Sequence, residues 1–215
     1  MGKSVYSLIL TDEVIDSVDR LAYQMHTSRS NMIDRILAEH VSLLTPQQRI
    51  QNVFDEIQNL LLPSDFQLLM KPSASMLSLR SALSYKYNPT IRYSIEMVRG
   101  SGQNVLRLKM QLRSQNQLLL DYLEEFFKLW AALEKQKDPQ TESLWAKDGV
   151  RYIRNLRLPE KEITDEEYGE RIAAYVQALD SAMNRFFTLL DTPEEAVAAV
   201  KEEFTAYAAG ADEML

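Results

Sequence analysis

VYSLILTDEVIDSVDRLAYQMHTSRSNMIDRILAEHV, residues 5–41, decides how the rest of the chain is read. Val5 to Leu10 have strand composition and alternate, with Tyr6, Leu8 and Leu10 on one face and Val5, Ser7 and Ile9 on the other. No turn and second strand follow, because Thr11 opens a helical pattern at once. A lone strand leaves N–H and C=O groups unpaired, which is costly once they are buried. The nearest pairing candidate is the same strand of a second copy, so the stretch predicts a homodimer.

Thr11 suits a helix N-cap, and Asp12 and Glu13 suit the positive end of the helix dipole. Val14, Val18, Leu21, Ala22 and Met25 recur at helical spacing. His26-Thr27 breaks the pattern, and His accepts the left-handed backbone conformation better than most residues other than Gly. Ser28 then caps a second helix with the stripe Met32, Ile33, Ile36, Leu37 and His40 or Val41.

Strand, capped helix, short turn, Ser-Arg-Ser and helix in this order resemble the ribbon-helix-helix DNA-binding proteins, the family of the Arc, MetJ and CopG repressors. The resemblance covers residues 3–44, about the first fifth of the chain. It implies an antiparallel two-stranded ribbon lying in the major groove, with outward side chains at base edges. Here those positions are Lys3, Val5, Ser7 and Ile9. It also implies a phosphate clamp at the start of the second helix, from Ser28, Arg29, Ser30 and Asn31, where free N–H groups and hydroxyls converge. Two positions depart from the family. Val5 and Ile9 are apolar where its groove face is usually polar, and His26 stands where Gly is common. Val5 and Ile9 can touch thymine methyl groups or pack under another element. In that second case the ribbon only dimerises, and Ser28 and Ser30 only cap a helix.

The net charge of −7, taken as a sum, opposes nucleic acid. Its distribution matters more. Residues 1–45 carry net −2 and residues 46–77 net −1, whereas residues 78–113 carry net +6 and residues 114–215 net −10. The absence of Cys excludes a disulfide framework and thiolate zinc sites. No apolar run has the length of a membrane span, and Lys3 with the short run after it is no signal peptide. The expectation is a cytoplasmic protein with no membrane partner.

Thr45-Pro46 marks a boundary, and Ile50, Val53, Phe54, Ile57, Leu60 and Leu61 predict an amphipathic helix that Pro63 ends. Its length fits a connecting helix over 46–63 as well as a piece of a second domain. Residues 66–71 fit a short strand. From Leu77 the period becomes two and continues to Tyr87; Asn88-Pro89 turns the chain, and strands follow around Ile91–Met97 and Val105–Leu112, a three-strand meander. One face is apolar and the other basic, with Arg80, Lys86, Arg92, Arg107, Lys109 and Arg113. That face reads as a second phosphate-tracking surface or, preferably, as a solvated one neutralised by the acidic C-terminal helices of this chain or its partner. A helix over about 115–136, a hairpin over 143–158, a helix opened by the Thr164-x-x-Glu167 capping box and a last helix from Pro193 complete the chain.

Enzyme motifs fail the search: no Gly-rich phosphate loop, no Gly-x-Ser-x-Gly and no His-Glu-x-x-His is present. His26 and His40, the two histidines, both fall in the DNA-binding unit, and no cofactor or metal is expected. The reading is an α+β chain of three parts: residues 1–45 as a ribbon-helix-helix unit, 46–63 as a connecting helix, and 64–215 as a domain with an antiparallel sheet covered by helices. The expected function is sequence-specific binding of double-stranded DNA by a homodimeric transcriptional regulator, a repressor, without catalysis. The C-terminal domain then senses an effector, binds a protein partner or builds higher oligomers. The alternatives are an assembly module in which the ribbon only dimerises, and an antitoxin or plasmid copy-control protein.

Overall fold

The structure, a computed structural model, describes residues 7–40, 46–98, 105–146, 151–157 and 163–210. The chain divides into two compact units, residues 1–49 and 50–215.

The N-terminal unit is a pair of helices. Helix α1 (Asp12–Gln24) follows Thr11 in extended conformation, with Asp12 and Glu13 in its first turn. It ends where His26 takes a φ of 50°, which lets the Thr27 N–H reach back to the Ala22 carbonyl at 2.9 Å. Helix α2 (Arg29–His40) starts at Ser28, whose Oγ accepts the Asn31 N–H at 3.3 Å. The turn at His26 and the cap at Ser28 follow from residues named in the sequence, whereas Thr11 has the extended backbone of an N-cap but its side chain makes no capping hydrogen bond. The expected strand over residues 4–10 does not appear in its described part. Residues 7–10 run into α1 without a sheet partner among the described residues, and residues 3 and 5 lie outside the described residues. Among the described residues of this unit there is therefore no ribbon strand. Its core is also smaller than the two apolar stripes predict. Val18, Ala22 and Met32 are buried with Ile33 against them, while Val14, Leu21, Met25, Ile36 and Leu37 are exposed.

The C-terminal unit is a mixed α+β fold built on one antiparallel sheet of six strands in the order β1-β2-β3-β4-β6-β5. The strands are β1 (Gln67–Leu68), β2 (Met76–Ala82), β3 (Thr90–Val98), β4 (Val105–Leu112), β5 (Ser143–Ala146) and β6 (Arg151–Leu156). The meander β2-β3-β4 is the one the period of two predicts. One correction applies at its edge. Strand β2 stops at Ala82, because Tyr87 and Asn88 both take positive φ in the turn that follows, and Tyr87 is fully exposed. The expected hairpin over 143–158 is present as β5-β6 and extends the same sheet, with β6 paired to β4 and β5 at the edge.

Helices α3 (Pro46–Leu61), α4 (Gln117–Lys137), α5 (Asp165–Thr188) and α6 (Pro193–Gly210) cover one face. Leu77, Leu79, Ile91, Ile95, Leu106 and Leu108 of the strands share a single core with Phe54, Trp130, Val176 and Val200 of the helices. Helix α3, expected as a connector, belongs to this core: Phe54, Ile57 and Leu61 have no exposed surface. An amphipathic pattern shows that a helix is buried on one side but not in which core. At Gly169 of α5 an added Cβ would stand 2.7 Å from Glu56 Cβ and 3.1 Å from the Val53 carbonyl oxygen of α3, so a bare residue sets the close approach of these two helices. The predicted capping box at Thr164 and Glu167 is present in both its bonds.

Two polar networks cross the core. In one, Glu134 of α4 accepts hydrogen bonds from Arg154 Nε (3.0 Å), Tyr152 (2.6 Å) and Tyr175 (2.8 Å). In the other, Asp180 of α5 accepts from Ser81 and Tyr93, each at 2.5 Å, and from Asn184 at 3.1 Å. Among the described residues no helix is long and apolar enough to cross a membrane.

Candidate nucleic-acid interface

The sequence places two candidate surfaces on the chain, one in each unit. In the N-terminal unit Ser7 and Ile9 are exposed just ahead of α1, while Lys3 and Val5 lie outside the described residues. Ser28, Arg29, Ser30 and Asn31 lie at the start of α2, and Arg29, Ser30 and Asn31 are all exposed with Ser28 beside them. Helix geometry leaves the N–H groups of Arg29 and Ser30 without an intrahelical acceptor, and the dipole adds partial positive charge there. A helix start of this kind carries the groups that can accept an anion.

Arg29 itself is not open in the way the sequence suggests. Its Nε donates to Asp19 Oδ1 at 2.6 Å, and a second guanidinium nitrogen donates to Asp19 Oδ2. The fork holds the Asp19 carboxyl below the usual carboxylate range, chiefly through these hydrogen bonds, and holds the Arg29 guanidinium still more firmly charged. A carboxylate ten residues away in sequence therefore occupies the guanidinium edge that a phosphate would take.

In the C-terminal unit the helices cover the apolar side of the sheet; on the opposite face Arg80, Arg92 and Arg151 are exposed, Ser94, Glu96, Arg107, Lys109 and Gln111 are half-buried, and Ser78 is buried. Register places Arg80 directly opposite Arg92, Arg92 opposite Gln111, and Gln111 opposite Arg151. Alongside this row lie Arg107, whose Nε donates to Asn155 Oδ1 at 2.9 Å, and Lys109, whose Nζ is 2.5 Å from Glu96 Oε2. Arg113 follows β4 and is exposed. Three departures from the sequence reading result. Lys86 lies in the turn after β2 and not on the sheet. Lys109 is neutralised by Glu96. Arg151, which the sequence reading missed, joins the face. Its outward position shows in the alternation of residues 151–156, but its place beside β4 depends on a strand pairing that no local pattern reveals.

Arg80 donates to the neutral Gln67 side chain, at 3.2 and 2.9 Å. Arg80, Arg92, Arg107, Arg113 and Arg151 make no ion pair with a described residue. The acidic helices α5 and α6 of the same unit pack on the other side of the sheet, and among the described residues their acids make no ion pair with the arginines of this face.

The cavities have a different character. A cleft of about 1000 Å³ between α5 and the β2 edge is lined by Asp65, Gln67, Ser84, Asp180 and Asn184 among others. Burial raises the Asp180 pKa against the lowering effect of its hydrogen bonds from Ser81, Tyr93 and Asn184. Burial, reinforced by the Asp180 charge, drives the Tyr93 hydroxyl well above its ordinary value, so it stays a donor. Both Asp180 oxygens already accept hydrogen bonds, which makes this carboxylate a structural anchor of α5 on the sheet. Among the described residues no group of three or more His, Cys, Asp or Glu is arranged to hold a metal ion. No family model matches the chain, and no curated protein and no solved structure matches it.

Proposed function

We propose that the chain is a homodimeric protein that binds double-stranded DNA in a sequence-specific way, as a transcriptional regulator of the repressor type. The observation that carries this reading is the apolar surface of the N-terminal unit. Leu8, Ile9, Leu10, Val14, Leu21, Met25, Ile36 and Leu37 are exposed, while the core of that unit holds Val18, Ala22 and Met32 among the described residues. Burying a side chain of this kind contributes about 1.5–3 kcal/mol. Two helices cannot cover this surface alone, and a second copy of the same unit supplies a matching apolar face. Pairing of residues before Thr11 across such a dimer would give their backbone groups partners and form the ribbon that the resemblance implies. Ser7 and Ile9 would then face the groove, and the start of α2 would rest on a phosphate.

A second reading has its own support. The Arg29–Asp19 fork and the apolar Ile9 favour an assembly module, in which the N-terminal unit dimerises and a protein partner binds elsewhere.

Sedimentation equilibrium of the full chain, alone and with a short duplex at low salt, tests the proposal. The expected result is a dimer that binds the duplex as a dimer. A stable monomer, or a dimer with no affinity for duplex DNA even at low salt, would overturn it.

A further inference from the structure

We propose that the open face of the C-terminal sheet is a second docking surface for duplex DNA, gripping phosphates through the row Arg80, Arg92 and Arg151. The choice of duplex DNA as the occupant rests on the DNA-binding reading of the N-terminal unit.

The register makes the argument. Arg80 and Arg92 are direct cross-strand partners, and like charges directly opposite each other destabilise a sheet. Arg151 follows two strands further along the same row, with the neutral Gln111 between. Strands lie ~4.8 Å apart, so the three guanidinium stems are rooted within roughly 15 Å along a straight line across the sheet. Arg107 and Arg113 add charge beside the row. Glu96, the one acid at a described strand position of this face, is occupied by Lys109. A fold that concentrates guanidinium groups in this way lowers its own stability unless a polyanion meets them.

The chemistry of the face selects among polyanions and partners. Protein interfaces place apolar side chains at their centre and deplete charge there. Arg92, Ser94, Lys109 and Gln111 lie at the middle of this face, and its apolar residues stand around them: Met76 and Val98 at one end, half-buried Ile153 beside Lys109, and exposed Leu144 at the β5 edge. Interfaces with DNA are polar and strongly positive. Arginine, with its planar fork, suits phosphate oxygens, and five of the six cationic groups described on this face are arginines. Phosphate grips of this kind add affinity and position the chain without reading sequence.

The test uses the full-length chain, a random-sequence duplex and a salt titration. Four proteins are compared: wild type, Arg92→Gln/Arg151→Gln, Ser7→Ala/Arg29→Ala, and all four changes together. Removing one phosphate-binding cation flattens the slope of log K against log salt by about 0.9. The sheet variant is expected to reduce the slope by roughly 1.8 units and to bind on the order of tenfold more weakly for each arginine replaced near 0.1 M salt, equally on all sequences. Unchanged thermal melting excludes misfolding as the cause, because both positions are exposed. A flattened slope without any sequence preference in the wild type would support the sheet surface and remove the reading of the N-terminal unit as a base reader. An unchanged slope in the sheet variant, or an altered sedimentation mass with unchanged DNA binding, overturns the sheet proposal and leaves the N-terminal reading to stand on its own arm. No binding of duplex by the wild type at low salt overturns both.

Discussion

Arg29 and Asp19 form a two-pronged ion pair between the start of α2 and the middle of α1, with two guanidinium nitrogens on the two carboxylate oxygens. The pair ties the two helices together beside a small apolar core. It also sets a competition, since phosphate and Asp19 seek the same edge of one guanidinium.

The competition gives a signed prediction. Asp19→Asn removes a negative charge and releases the fork, so affinity for duplex DNA rises, by several-fold at low salt, in fluorescence anisotropy. Arg29→Ala lowers it by about tenfold. If Asp19→Asn leaves affinity unchanged while Arg29→Ala weakens it, the ion pair does not compete with phosphate. If neither matters, the start of α2 does not touch DNA.

Leu37 is about half exposed in the single chain, so it contributes little to the internal packing of the helix pair. Leu37→Glu is therefore expected to shift the chain from dimer to monomer in sedimentation equilibrium and to abolish DNA binding. Helical content and the melting of the C-terminal unit are expected to stay as in wild type. A dimer of unchanged affinity would place the interface elsewhere.

The parts of the fold that local chemistry dictates were legible in the sequence. Thr164 and Glu167 stand three residues apart and form the capping box their spacing announces. His26 takes the left-handed conformation that the broken helical pattern requires. Strands β2, β3 and β4 follow from their alternation. What depends on distant pairing was not legible. Arg154 reads as a surface residue in any hairpin, yet it is fully buried because β6 enters beside β4 and α4 supplies Glu134. Asp180 hides in the same way on α5, where only Ser81 and Tyr93 of the sheet explain its burial. The candidate surface divides along the same line. Arg80 and Arg92 showed in the alternation, and Arg151 needed the strand order. The stretch before Thr11 is the extreme case, since the pairing proposed for it needs a second chain.

Glu134 offers the strongest stability prediction. It and Arg154 are both fully buried, and the Tyr152 and Tyr175 hydroxyls also donate to it. Glu134→Ala strands a buried guanidinium and two hydroxyl donors, a loss of about 3–5 kcal/mol. Each kcal/mol lowers the melting temperature of a chain this size by roughly 2–4 °C, so the drop is about 6–20 °C. Glu134→Gln keeps an acceptor and falls between. A Glu134→Ala protein that melts within a degree or two of wild type would mean the network contributes nothing.

Asp180 gives a pH dependence of known sign. Its folded pKa lies above the ordinary value of 3.8, so the native state binds the proton more tightly than the unfolded chain. The resulting stability is fully present below that value and declines as pH rises through the folded pKa. Asp180→Asn keeps an oxygen for Ser81 and Tyr93 but sets its amide against that of Asn184, a cost that does not change with pH. Urea midpoints from pH 4 upward are therefore expected to fall for wild type relative to Asp180→Asn. Parallel curves would contradict the raised pKa.

The most direct single measurement is selection from a random duplex library with the purified full-length chain. The proposed function predicts enrichment of a short motif repeated with two-fold symmetry, as two copies of one reader require. Recovery of unenriched library at both low and moderate salt would contradict sequence-specific binding and leave the N-terminal unit as a device for dimerisation.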